Sequence, residues 1–376
     1  MSASRALDRN RIGKKVPIIR TKSLENRRGG KMVTAGDDRL VLMGAPGSPY
    51  TRKMVALLRY RHIPYTVLWG GHQNPPPGLP QPKVKLLPTF YFPRSDGGIE
   101  AVVDSTPITR RLEQDYTGRR VIPEDPVIAF LNELIEDYAD EWLTKAMFHY
   151  RWYFDADRDN AGPLLVYWSL PTLEAPDAQK MADMFSKRQT ERLYVVGSND
   201  VTASTIEASY LRFIDILDTL IQQAGYVLGA RPSSADFAIY GQLTQLAIVE
   251  PTSAALTRAR SARVRAWLDR MEDLSGVDPA EDDWFTPKRA MELLRPLLSE
   301  IGRVYLPFLK ANATAVAEGK PDFRTNIDGQ AWQQPTFPYQ AKCLQHLLET
   351  ARALPGNAKK ELKEIFSGTG CEELLA

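Results

Sequence analysis

Cysteine is scarce in this 376-residue chain: only Cys343 and Cys371 occur, both near the C-terminus. That excludes a disulfide framework and a cysteine-rich metal site, and it points to a reducing compartment. Histidine is scarce too. His62, His72, His149 and His346 are scattered, with no pair at ligand spacing, so no metal is expected. Nothing approaches the roughly 18 apolar residues of a membrane-spanning helix, and the apolar block of a secretory leader is missing. A cytoplasmic protein without a membrane partner is the expectation. Acidic residues are nearly absent from residues 1–31, where ten Lys and Arg face only Asp8 and Glu25, a net +8; the whole chain carries +2, which leaves −6 for the rest. Such an arm can bind nucleic acid or anionic lipid, or serve as a transit peptide. A solvated, disordered tail over residues 1–38 fits better, because no aromatic residue interleaves with the charges as base stacking requires. Met32 also offers a second start that would leave the arm out. No nucleic-acid partner is expected.

What is present is enough apolar sequence, 43% of residues, to bury two or more cores. "RLVLMG" (39–44) reads as a strand that stops at the turn cluster "APGSP". A helix is predicted over 50–61, with Met54, Val55, Leu57 and Leu58 on a buried face and Arg52, Lys53, Arg59 and Arg61 on a wet one. "IPYTVLW" (63–69), "TFYF" (89–92) and "IEAVVD" (99–104) read as strands, and "STPITRRLEQDY" as a capped helix. The proline-rich stretch 71–82 can only be an irregular loop. This order predicts a small α/β domain with a mixed sheet over 39–120. From Pro126 the periodicity is helical throughout. One long helix is predicted to Phe154, then others at 176–195, 203–224, 235–248 and 258–274, an all-helical domain over 121–275. After the acidic break "DPAEDDWFTP", a helical extension over 276–376 carries helices at 288–318 and 338–366 joined by a loop. Met291, Leu294, Leu298 and Ile301 give it an apolar face that must be buried, against the helical domain.

Three loops of the small domain carry candidate chemistry. "SPYT" sets Ser48 at an N-cap and Pro49 at the first helical position, so free backbone N–H groups and the positive dipole end face outward and favour an anion. "LLPT" sets Pro88 at a strand entrance; a cis bond there would turn the Leu87 backbone toward an extended ligand. "DST" offers Asp104 to an ammonium, and Ser105 with its helix start to a carboxylate. Each residue also has a plainer role. Ser48 caps a helix whatever else it does, Tyr50 and Thr51 are rival hydroxyls, and Asp104 with Ser105 can cap the next helix. "SSAD" (233–236) reads as a capping box. Trp142, Phe148, Tyr150, Trp152 and Tyr153 read as interdomain core, two or three of them doubling as pocket lining. Arg151 among them needs a partner if buried, and Asp155 or Asp157 lie nearest in sequence. Cys343 reads as a small buried hydrophobe.

Taken in order, "SPYTRKM", "LLPTFYF", "DSTPI" and "RPSSADFAIYGQL" resemble the glutathione transferase superfamily over roughly residues 39–275. The resemblance implies a thioredoxin-like N-terminal domain that binds glutathione and an all-helical domain that supplies an acceptor pocket. It further implies that Ser48 activates the thiol, that Leu87 and Pro88 clamp the cysteinyl unit, and that Asp104 and Ser105 anchor the γ-glutamyl end. Two departures stand out. Leu86 sits where many relatives have Gln, so Lys85 or Lys83 must meet the glycine carboxylate, and the 71–82 loop replaces a helical segment. Tyr50, Trp142, Phe148 and Trp152 are the acceptor-pocket candidates. The implied activity is addition of the glutathione thiolate to a small electrophile, as in detoxification, with glutathione as co-substrate, no other cofactor, and room for a homodimer. Serine rather than cysteine at 48 argues against a thiol-disulfide reductase. The competing expectation is a non-catalytic scaffold of the same fold.

Overall fold

The computed structural model describes residues 39–73 and 75–375, so the expected basic tail of residues 1–38 lies outside the described residues. β1 (Leu40–Gly44), α1 (Pro49–Tyr60) and β2 (Tyr65–Trp69) form a unit in which the two strands pair in parallel. A parallel pair needs a crossover, and α1 supplies it. β3 (Thr89–Pro93) pairs antiparallel with β1, and β4 (Ile99–Val102) antiparallel with β3, giving the sheet order β2-β1-β3-β4. α2 (Ser105–Asp115) follows, buried through Ile108 and Leu112. This is the mixed sheet expected from the sequence.

The helical domain starts at α3 (Pro126–Tyr138), capped by Asp125, which accepts from the Val127 and Ile128 amides. The long helix predicted to Phe154 runs continuously to Tyr153, with a π-turn (Ala139–Leu143) inside it before α4 (Thr144–Tyr153). α5 (Asp155–Ser169) lies outside the helices read from the sequence, and Pro163 lies inside it. α6 (Ala175–Thr190), α7 (Ala203–Ala224) and α8 (Ser234–Thr244) follow, then α9 (Pro251–Arg260) and α10 (Ala262–Met271), which Ser261 separates by capping the second. The capping box of Ser233 and Asp236 opens α8 as predicted. Every residue of α8 is buried, the signature of a helix enclosed on all sides. It packs against α1 so closely that a Cβ on Gly241 would lie 2.4 Å from the Pro49 carbonyl oxygen. That contact joins the two domains.

The extension holds α11 (Pro287–Leu293), α12 (Arg295–Glu300), a further π-turn (Ile301–Tyr305) and α13 (Leu306–Ala317). The segment expected as a loop is a β-hairpin, β5 (Asp322–Ile327) with β6 (Gln330–Pro335). Its turn is Asp328-Gly329, both at positive φ (54° and 73°), the combination two-residue hairpins prefer. Alternation buries Phe323, Ile327, Trp332 and Gln334. α14 (Pro338–Ala353) and α15 (Gly356–Phe366) are separated at Leu354-Pro355, where one helix was predicted. The extension is continuous with the helical core: Tyr138 meets Tyr305, Phe130 meets Phe366, and Trp142 meets Phe308 and Trp332. Leu294, Leu298 and Ile301 are buried as predicted; Met291 is 41% exposed and is not part of that face. No helix among the described residues is long and apolar enough to cross a membrane.

Candidate functional site

Ser48 adopts an extended backbone (φ −93°, ψ 116°) at the N-cap of α1, and Pro49 begins the helix. Its hydroxyl accepts from the Thr51 amide at 3.2 Å and donates to the Leu87 carbonyl at 3.3 Å. The Leu87–Pro88 bond is cis. Ser48 and the cis-proline corner, 39 positions apart, are thus brought together. The rival hydroxyls point elsewhere: Tyr50 donates to the Asp140 carbonyl at 2.7 Å, and buried Thr51 accepts from the Ala45 amide.

The Ser48 loop is held from the helical domain. Arg151 Nη1 donates to the Gly47 carbonyl at 2.9 Å, while its Nε pairs with Glu250 at 2.5 Å and Nη2 donates to Gln245. Neither expected partner serves: Asp155 binds Arg158, and Asp157 accepts from Thr252 at the start of α9. α5 covers the same loop, since a Cβ on Gly47 would lie 2.2 Å from Leu165 Cδ2 and 2.9 Å from the Trp168 ring.

At the other end, Asp104 caps α2 from a left-handed backbone (φ 80°), a conformation that costs a non-glycine residue about 1–3 kcal/mol. Its Oδ1 accepts from the Thr106 amide at 3.2 Å, and its Oδ2 from the Tyr339 hydroxyl of α14 at 2.9 Å. Ser105 Oγ accepts from Lys53 Nζ at 3.1 Å. Lys53 was predicted on the wet face of α1, as was Arg61. Both are buried, Arg61 paired with Glu113 and Lys53 with Glu136 at 2.7 Å and Asp140 at 2.6 Å. Burial alone would lower the Lys53 pKa, but the two carboxylates outweigh it and hold the ammonium charged. Burial pushes Asp140 up to about 6, against the pull of Lys53 and with the repulsion of Glu136. Asp104, Ser105, Lys53 and the π-turn thus meet where the two domains join.

Lys85 and Lys83 are exposed, beside the equally exposed Val84 and Leu86. The loop before the cis-proline is tied down instead by His72, whose Nε2 lies 3.0 Å from the Leu86 carbonyl, a role its sequence position did not announce. The acceptor-pocket candidates do not converge on open space. Trp142 is 3% exposed, packs on Phe308 and Trp332, and donates to Ser209; Trp152 is buried against Phe185. Phe148, half-buried, touches Trp152. Cys343 is half-buried rather than a core residue. A cavity of about 540 Å³ opens between α5 and α6, lined by Arg158, Asp183, Lys187 and neighbours, and contains none of the predicted site residues.

A mixed four-stranded sheet followed by a helical domain is the architecture of the glutathione transferase class. Residues 42–120 match the family described as "Glutathione S-transferase, N-terminal domain", and residues 189–270 match "Glutathione S-transferase, C-terminal domain". These two stretches are the N-terminal and C-terminal domains of the glutathione transferase superfamily. Solved structures similar to it include a GST-like protein from Pseudomonas syringae (15% identity, 65% of this chain and 76% of that one, TM-score 0.39). Others are the Tau class glutathione S-transferase of mango, Mangifera indica (17%, 67% and 94%, 0.38), and a Pseudomonas putida glutathione transferase with glutathione disulfide bound (14%, 66% and 95%, 0.39). No curated protein matches the chain.

Proposed function

We propose that this chain is a glutathione-dependent transferase that adds the glutathione thiolate to a small electrophile, in keeping with a cytoplasmic detoxifying role. The observation that carries the reading is the Ser48 hydroxyl, set between the start of α1 and the Leu87 carbonyl. Free thiols ionise near pKa 8.5, so a catalyst at neutral pH must favour the thiolate, and a hydroxyl donor at the positive end of a helix does so. The hydroxyl would turn from the Leu87 carbonyl to the sulfur while still accepting from the Thr51 amide. Leu87 would pair with the cysteinyl unit and Asp104 would accept from the γ-glutamyl ammonium.

A second reading, a scaffold without catalysis, draws on one specific observation. The donor of Ser48 and the second oxygen of Asp104 are both engaged within the protein, by Leu87 and Tyr339. Calorimetric titration with millimolar glutathione, followed by a conjugation assay with an activated aryl halide, separates the two. Binding with turnover supports the transferase; a protein that neither binds glutathione nor gains heat stability from it is the scaffold.

A further inference from the structure

We infer that Tyr339, on the extension, competes with the ligand for Asp104, so that the ammonium end of the site opens only when this one side chain swings away. The inference rests on the proposal that an ammonium-bearing ligand such as glutathione binds there. Each of the two carboxylate oxygens of Asp104 already accepts a hydrogen bond, Oδ1 from the Thr106 amide at 3.2 Å and Oδ2 from the Tyr339 hydroxyl at 2.9 Å. The Thr106 bond is the N-cap of α2. Oδ2 is the oxygen a ligand can take, and the phenol already holds it. The contact spans 235 positions and comes from a segment beyond both matched domains.

The backbone on either side of Tyr339 is fixed. Buried Asn312 donates to the Phe337 carbonyl at 3.0 Å and accepts from the Phe337 amide at 2.8 Å, while Gln340, 3% exposed, donates to Glu141 at 3.0 Å. The Tyr339 side chain itself is 44% exposed and touches the equally superficial Phe337 ring, 6.2 Å between centroids. A rotamer change therefore suffices to uncover Oδ2, and no helix has to lift. Tyr339 is also a specificity device. A cationic group adds ion pairing to its hydrogen bond with the carboxylate and displaces the phenol, whereas a neutral donor does not.

The test uses the full chain and S-methylglutathione, which lacks a reactive thiol. Without ligand, nitration of Tyr339 by tetranitromethane, read by peptide mass spectrometry, is expected to rise in Asp104→Asn, because the phenol loses its carboxylate partner. Unchanged nitration overturns the contact. With ligand, Tyr339→Phe keeps the ring, removes the competing donor, and is expected to bind S-methylglutathione about tenfold more tightly by calorimetry. Equal affinity in the two proteins overturns the competition and leaves the glutathione reading intact. Binding by neither protein, with the nitration result as expected, overturns the glutathione reading and with it this inference.

Discussion

Arg151 reaches from α4 to the carbonyl of Gly47, so the loop that carries Ser48 is fastened by a residue of the other domain. Arg151 is 5% exposed and its partner Glu250 is fully buried. Arg151→Met strands that carboxylate without its cation and is expected to cost about 3–5 kcal/mol in urea unfolding. Arg151→Lys keeps the charge but not the planar fork that serves three acceptors, so it should recover only part of the loss. A shift below 1 kcal/mol for Arg151→Met would show that the fastening contributes little.

Ser48→Ala separates the cap from the chemistry. Loss of the bond to the Thr51 amide is expected to cost about 1 kcal/mol of stability. If Ser48 also donates to the thiolate, turnover should fall by about one to two orders of magnitude, with the pKa of bound glutathione rising in ultraviolet titration of the thiolate band. Lost stability with unchanged turnover and thiol pKa would leave Ser48 a cap only.

Ending the chain at residue 276 uncovers Phe130, Tyr138 and Trp142, whose partners Phe366, Tyr305, Phe308 and Trp332 all lie in the extension. Exposed aromatic surface on that scale predicts an aggregating or partly unfolded product. A soluble truncated chain with the parent's melting temperature would show that the extension is dispensable for the fold.

Stability should pass through a minimum near neutral pH. Burial pushes Glu141 up to about 8 and Asp137 up to about 7, from ordinary values of 4.5 and 3.8. Between those limits the folded protein binds more protons than the unfolded chain, so stability falls as pH rises. Lys145 is opposite in sign. Burial, against the attraction of Glu141, lowers it from 10.5 to about 7, so the unfolded chain binds more protons across that window and stability rises with pH. Urea unfolding from about pH 5 to about pH 10 should show both limbs. Glu141→Gln is expected to flatten the acid limb and Lys145→Met the alkaline one. A Lys145→Met protein with the parental alkaline slope would refute the assignment.

Local chemistry was legible in the sequence wherever the signal is short-range. The turn at Pro46–Gly47, the Ser48 cap, the four strands and the Ser233 capping box follow from residues a few positions apart. The Asp328-Gly329 turn carried the same kind of signal, but the mostly polar strands on either side of it resembled a loop. The π-turn at Ala139–Leu143 and the helix that runs through Pro163 are the opposite case, where packing overruled local preference.

Helical periodicity assigned Lys53 to solvent, and only the approach of α3, the π-turn after it and α2, which bring Glu136, Asp140 and Ser105 to its ammonium, made burial tolerable. Arg151 found its carboxylate 99 positions away and not at its neighbours. Asp104 offered a free carboxylate in the sequence and holds a tyrosine in the fold. The sequence by itself determined which loops present a hydroxyl, a carboxylate and a proline corner, because caps and turns are closed by bonds within one or two turns of chain. Only the tertiary structure decided which of those groups meet a partner, because a buried charge or donor is satisfied by whatever group the packing of distant helices brings within about 3 Å.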